Sequence, residues 1–319
     1  MKKVVIIIGV VLLVMGGWFY YIISEQHRHE FKVWFLNIGQ GDSALIQFEN
    51  GETMLVDCGA NRKVLSQLGA VVPFYVHTID YVLATHPDLD HYGGCVDVLK
   101  RYDVKHIIVN GRTKPYDPYW REWDKAIHNE GAEIITMTSP TVWTIASDTL
   151  QFLSPDPALK IDTKADDSNN YSIVFRLTHG AETFLFTGDM EVPLENALLE
   201  KYCPSTSVIP NLIGNPSLGS YSSSSMDSRF RSSRWSFGEA GGNDKYECPT
   251  LRSDILKVGH HGSPGASGED FLTAVRAKQA VISVGPNRYG HPSLRVIKHL
   301  ERAGAEILRT DQRGAILVR

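Results

Sequence analysis

The sequence has little net charge: 32 Lys+Arg stand against 36 Asp+Glu, leaving −4 over 319 residues. That balance excludes a protein that coats nucleic acid by bulk charge. With 43% apolar residues, wholesale disorder and fibrous repeats are excluded too. Cysteine is scarce. Cys58, Cys95, Cys203 and Cys248 have no zinc-finger spacing. Cys203 and Cys248 are placed to pair across the base of an insertion, while the apolar and glycine-rich surroundings of Cys58 and Cys95 suggest buried thiols. Charge is absent altogether from residues 4–24.

The apolar run 4–23 makes about 30 Å of helix, enough to cross a bilayer core. Lys2 and Lys3 precede it, and Trp18, Tyr20 and Tyr21 sit near its far end, where an aromatic belt belongs. No A-x-A-like cleavage site follows, so residues 1–24 read as an uncleaved membrane anchor, with a cleaved signal sequence as the alternative. Under either reading residues 25–319 lie outside the cytoplasm. Residues 204–247 are rich in Ser and Gly and lack helical or strand periodicity. They read as a flexible insertion into an existing loop. Arg229, Arg231 and Arg234 within it would suit a substrate-gripping arm, but a loop without a role is the simpler reading. Subtracting anchor and insertion leaves one domain with a core of its own.

Short β-rich runs at residues 31–38, 43–48 and 53–57 form a meander. Helices are expected near 62–68, from just after Gly94 to 101, and at 118–129; strands at 81–85, 106–109, 133–136, 142–145 and 150–153. The pattern then restarts: a hairpin at 172–178 and 183–187, helices at 192–201, 269–275 and 293–303, and strands at 254–258, 280–284, 307–309 and 315–318. Two β-meander halves with helices imply two sheets packed face to face with helices outside.

The chemistry sits at strand ends. His86, Asp88, Asp90 and His91 follow the strand YVLAT within six residues, punctuated by Pro87 and Gly93-Gly94. Two His and two Asp in one turn are too many for a single tetrahedral ion, which suggests a two-metal site. Asp189 ends the strand TFLFTGD. His260 and His261 end DILKVG, and His291 follows AVISV. Adjacent glycines let a ligand approach the backbone. His27, His29, His77, His106, His128, His179 and His299 lack such company and read as structural or surface residues.

His86-Pro-Asp88-Leu-Asp90-His91-x-Gly-Gly resembles the His-x-His-x-Asp-His motif of the metallo-β-lactamase superfamily, with Asp88 at the second His. More narrowly, FLNIGQGDSALIQ, LVDCGA, NNYSIVFRL, FLFTGDM, ILKVGHHGSPGAS, AVISVGPNRYGHPS and TDQRGAILV resemble the extracytoplasmic domain of ComEC-type DNA-uptake proteins. The resemblance implies an α/β fold, the αββα sandwich of two mixed sheets flanked by helices, with a dinuclear site at one sheet edge. It implies that His86 and Asp88 serve one metal, that Asp90 and His91 serve the other, and that Asp189 bridges. It favours His260 to complete the second site, with His261 the alternative. It casts Asp57 as the buried acid bracing the ligand loop. Asn170, Ser172 and His291, with Arg288 nearby, fall at the substrate pocket. Asn37 stands where relatives more often have Asp. No His occupies the third-motif position around NNYSIV, so the first metal is expected to be weakly held.

A metal-bound hydroxide would be the nucleophile, with Asp90 orienting it and accepting its proton. The oxygen-rich ligand set lets Mn²⁺ compete with Zn²⁺; no organic cofactor is expected. The last sixty residues carry excess Lys+Arg on an otherwise acidic body, so net charge does not exclude a nucleic-acid substrate. The expected activity is phosphodiester hydrolysis of DNA outside the cytoplasm, with the membrane and DNA-uptake machinery as partners. The alternatives are hydrolysis of a lactam, lactone or wall-linked phosphodiester, or a catalytically weak binding module of the same fold.

Overall fold

The structure, a computed structural model, describes residues 9, 12–18, 30–163, 167–203 and 248–319. Residues 12–18 are helical. The rest of the expected anchor and the insertion 204–247 lie outside the described residues. Among the described residues no helix is long and apolar enough to cross a membrane.

Among the described residues, fourteen strands make two seven-stranded sheets. The first contains β1 (Lys32–Phe35), β2 (Ala44–Gln47), β3 (Thr53–Val56), β4 (Thr78–Leu83), β5 (Asp103–Val109) and β6 (Glu133–Thr136). The second contains β7 (Thr141–Ile145), β8 (Asp148–Ser154), β9 (Val174–His179), β10 (Glu182–Phe186), β11 (Ile255–Lys257), β12 (Gln279–Ile282) and β13 (Glu306–Arg309). The last strand, β14 (Ile316–Val318), leaves the second half and pairs antiparallel with β1, giving the order β14-β1-β2-β3-β4-β5-β6. This differs from two meander halves. Only β1 to β3 in the first sheet, and β7 to β10 in the second, run as antiparallel neighbours in chain order. From β3 to β6, and from β10 to β13, the pairs are parallel. Parallel neighbours need a crossover, and helices supply it.

Those helices bury one face each. In Pro118–Glu130, Trp120, Trp123 and Ile127 are buried, Asp117 caps the N-terminus by accepting from the Tyr119 N–H (2.9 Å), and Gly131 ends it at φ 79°. In Leu294–Arg302, Val296 and Leu300 point inward, one turn apart, and Ser293 accepts from the Val296 N–H. Between the sheets lies an aromatic core. Alternation in β1 turns Val33 and Phe35 into it, while Trp34 packs among the outer helices. The Phe175 and Phe186 rings stack at 4.7 Å, flanked by Phe152 and Phe35. The αββα layering follows.

Two disulfides close. Cys203–Cys248 joins the ends of the insertion, as their spacing suggested. Cys58–Cys95 corrects the expectation of buried thiols: Cys58 follows β3 and Cys95 opens the helix after the histidine-rich turn. Backbone bonds from Cys58 N–H to His91 O (2.6 Å) and Gly94 N–H to Gly59 O (2.8 Å) bring their Cα atoms to 5.1 Å. A separation of 37 residues gave no local cue to this pairing.

The fully buried Phe175 fills the centre of the inter-sheet layer. Phe175→Ala is expected to lower the unfolding free energy by about 3–5 kcal/mol, read as a lower urea midpoint in chemical denaturation.

Candidate metal centre

Each candidate ligand emerges just past the C-terminal end of a parallel strand, on the edge where open α/β sheets build sites. His86, Asp88, Asp90 and His91 follow β4, Asp189 follows β10, and His260 and His261 follow β11. Glycines let these turns close on one another. A Cβ on Gly41 would lie 2.3 Å from Asp90 O, and one on Gly94 would lie 2.2 Å from Cys58 O.

The side chains converge on Asp189, which is 2% exposed. One of its oxygens, Oδ2, lies 3.2 Å from His91 Nε2, 3.4 Å from His261 Nε2 and 3.7 Å from His260 Nε2. His261 Nε2 also lies 3.3 Å from Asp90 Oδ2. Among the described residues, the groups whose ligand atoms gather within 4.8 Å include His86, His91 and Asp189; Asp90, His91 and His261; and Asp42, Asp189 and His261.

The other face of each imidazole is already spoken for. Asp57, 1% exposed, accepts from the Thr85 N–H, the Thr85 hydroxyl and His91 Nδ1–H, each at 2.8 Å. Because the Thr85 proton goes to Asp57, Thr85 Oγ1 is left to accept from His86 Nδ1–H (3.0 Å). His261 Nδ1–H donates to Ser283 O (3.0 Å), with Asp42 Oδ1 at 3.2 Å. With Nδ1 engaged in this way, each ring in its neutral form would aim an Nε2 lone pair at the same space. Among the described residues, His86 Nε2, His91 Nε2, His261 Nε2 and Asp189 Oδ1 are buried with no hydrogen-bond partner. Burying four such atoms unpaired is costly, and a divalent cation satisfies nitrogen and carboxylate donors together. The residues therefore fit a metal.

The electrostatics agree. Burial works against the imidazolium of His91, but the carboxylates of Asp189 and Asp57 raise it well above its ordinary value. Burial likewise opposes His261 charging, and Asp189 and Asp42 overcome it. Burial pushes Asp189 up, and the facing charges of His261 and His91 hold it well below the carboxylate range. Burial, then the His91 charge, lowers His86 to about 4. The same carboxylates that favour protons on His91 and His261 would favour a cation between them.

The predicted residues sort as follows. His86, Asp90, His91, Asp189 and His261 meet. His260 turns aside: its Nδ1 bonds Glu191 Oε1 (2.7 Å), and its side chain is a quarter exposed. Consecutive left-handed residues, His260 at φ 44° and His261 at φ 52°, throw the two rings apart, a strain typical of functional turns. Asp88 stands off from the cluster. Lys114 Nζ and Ser168 Oγ (2.6 Å) both bond its Oδ1, and His86 Nε2 is 3.8 Å from its Oδ2.

Asn170 and Ser172, expected at the substrate pocket, are fully buried. Asn170 Oδ1 accepts from the Glu191 and Leu194 N–H groups, and Ser172 Oγ accepts from the Asp189 N–H (3.1 Å). Both therefore hold the Asp189 turn rather than face an open cleft. His291 is half-buried, its ring 5.5 Å from that of His260. It lines a cleft of about 500 Å³ with Asn37, Lys63 and Asn287. Arg288 is exposed on the same loop.

Sequence reasoning missed Asp42 and Lys257, an ion pair buried beneath His261, with Lys257 Nζ also 3.3 Å from Gly188 O. The signals were a lysine in the apolar strand ILK and an aspartate in the turn Gly39-Gln-Gly41-Asp42. Lys114 and Ser168 were missed too, each in a loop without periodicity.

A family model described as the metallo-beta-lactamase superfamily matches residues 36–285. The chain is 28% identical over 91% of its length to ComE operon protein 3 of Bacillus subtilis (strain 168), covering 33% of that protein. It is 28% identical over 89% of its length to Competence protein ComA of Neisseria gonorrhoeae, covering 31% of that protein. It spans about a third of the length of these curated relatives. The structure of CmlA, a diiron beta-hydroxylase from Streptomyces venezuelae, superposes with a TM-score of 0.51 at 12% identity, over 91% of this chain and 54% of that one. That likeness shows the fold alone.

Because His91 and His261 hold protons into the neutral range, an incoming ion displaces them. Apparent metal affinity is expected to rise with pH and fall as the medium acidifies, and titration calorimetry in two buffers of different ionisation enthalpy reads the released protons. Asp57→Asn is expected to weaken affinity about 10–100-fold by freeing the His91 ring.

Proposed function

The chain belongs to the metallo-beta-lactamase superfamily, and on that premise we propose that it is a metal-dependent phosphodiesterase acting on nucleic acid outside the cytoplasm. The observation that carries the catalytic part is the meeting of four buried, partnerless donor atoms at the strand-end edge. The likeness to Competence protein ComA, with the resemblance to DNA-uptake proteins read from the sequence, supports DNA as the substrate, with DNA-uptake machinery and the membrane as partners. The charge-free segment at residues 4–24 supports the extracytoplasmic placement.

In this reading, Asp90, His91, Asp189 and His261 would hold one ion. His86 and Asp189 would hold a second more weakly, since Lys114 and Ser168 occupy Asp88 and no third-motif histidine is present. When bound, Zn²⁺ or Mn²⁺ supplies an acidified water and positive charge at the attacked phosphorus. The residues do the rest. Asp57 fixes the His91 ring, and Ser283 O with Asp42 fixes His261. Asp90 is pushed up by burial but held low by the facing His261 and His91 rings, so it is ionised throughout the neutral range. Its carboxylate suits it to orient an attacking water by accepting a hydrogen bond rather than to store a proton. His260 has the opposite character. Burial lowers it, but its bond to Glu191 prevails and raises it. Its Nε2, 3.7 Å from Asp189, is placed to protonate a departing oxygen.

The two neighbouring histidines therefore have separable roles. His261→Ala is expected to lose tightly bound metal, measured by elemental analysis of the full chain. His260→Ala is expected to keep the metal while kcat on single-stranded DNA and bis-p-nitrophenyl phosphate falls about a hundredfold or more. Asp189→Ala is expected to abolish turnover. Hydrolysis of nitrocefin alone would contradict the phosphodiesterase reading.

A further inference from the structure

The turn after β5 closes over the Asp88 side of the centre, and no step above uses its surface. Arg112, Lys114, Pro115 and Tyr116 from this turn, with Pro87 and Ser168, wall a cleft of about 610 Å³. Pro87 is a neighbour of His86 in the ligand turn, so the cleft opens directly beside the metal centre. Tyr116 is 96% exposed. A lone exposed ring needs no explanation, but this one shares a wall with two cations. The Arg112 guanidinium lies 3.2 Å from the centroid of the Tyr171 ring. Lys114 Nζ bonds Asp88 Oδ1 and Ser168 Oγ (3.2 Å), and an ammonium carries a third donor.

The cleft also contains two acids, but both are engaged elsewhere. Asp117 caps the following helix through the Tyr119 N–H, and Asp167 accepts from Asn170 Nδ2 (2.6 Å), the Asn169 N–H (2.9 Å) and the Thr163 hydroxyl. The third donor of the Lys114 ammonium and the exposed Tyr116 face thus remain to meet a ligand. Phosphate beside an unpaired base is the chemistry that matches both. A base inside a duplex offers no free face to such a ring.

We propose that this cleft seats one unpaired nucleobase of a single-stranded polynucleotide, stacked on Tyr116, with Lys114 meeting the adjoining phosphate, so that the next phosphodiester is presented to the centre. The proposal rests on the phosphodiesterase reading and adds the subsite that selects single strands.

The test uses the full chain and two phosphorothioate 12-mers, oligo(dT) and an abasic oligomer of equal charge, compared by fluorescence anisotropy at physiological salt. Oligo(dT) is expected to bind about tenfold or more tighter than the abasic strand. Tyr116→Ala is expected to erase that difference and Tyr116→Phe to restore it. Phe74→Ala, an exposed aromatic at the opposite end of β4, is expected to leave it intact. Equal binding of the two strands by the wild-type chain, or a preference that survives Tyr116→Ala, overturns the subsite. The same preparations are assayed on bis-p-nitrophenyl phosphate. Turnover without a base preference overturns the subsite alone, whereas no turnover of any phosphodiester overturns the reading beneath it as well.

Discussion

A carboxylate buried to 2% exposure among three imidazoles is the constraint on which the rest of this molecule depends. Asp189 can be kept there only if positive charge is kept beside it. The facing rings of His91 and His261 favour it, and a bound divalent ion would supply it. Everything around the centre fixes the direction in which those rings point. Asp57 and Thr85 turn His91 and His86, Ser283 and Asp42 turn His261, and Lys257 neutralises Asp42 from below. Ser172 and Asn170 hold the turn that carries Asp189.

That arrangement explains the architecture at its edge. Ligands from β4, β10 and β11 belong to different sheets, so they meet only because the two sheets pack face to face with their parallel strands ending on one side. The aromatic layer of Phe35, Phe152, Phe175 and Phe186 fixes that packing, and β14 crosses back to β1 to tie the second half to the first. The Cys58–Cys95 disulfide works at shorter range. It joins the residue after Asp57 to the helix after His91, so the bracing acid and the ligand turn are linked covalently as well as by hydrogen bonds.

Much of this was legible in the sequence, for a physical reason. Strands and amphipathic helices are local patterns, so the helices at Pro118–Glu130, Val192–Tyr202 and Leu294–Arg302 could be read to within a residue or two. The ligand turns could be read because His and Asp cluster beside glycines directly after apolar runs. What escaped depends on distant partners or on a backbone angle. His260 and His261 are indistinguishable by composition, and only their left-handed turn sends one inward and the other toward Glu191. Asp88 looked like a ligand until Lys114, 26 residues away, was found bonded to it. Cys58 and Cys95 read as buried thiols because nothing local shows that Gly59 and Gly94 meet through their backbones. The buried Lys257 was readable only as an oddity in a short apolar strand.

The central claim is that Asp90, His91, Asp189 and His261 share one divalent ion while His260 stands outside it. Crystals of the metal-loaded chain measured at the absorption edge of the ion test this most directly. The account predicts an anomalous peak within bonding distance of His91 Nε2, His261 Nε2 and both carboxylates, with His260 Nδ1 still on Glu191. A peak coordinated by His260 in place of His261, or no peak at this edge after loading, would contradict it.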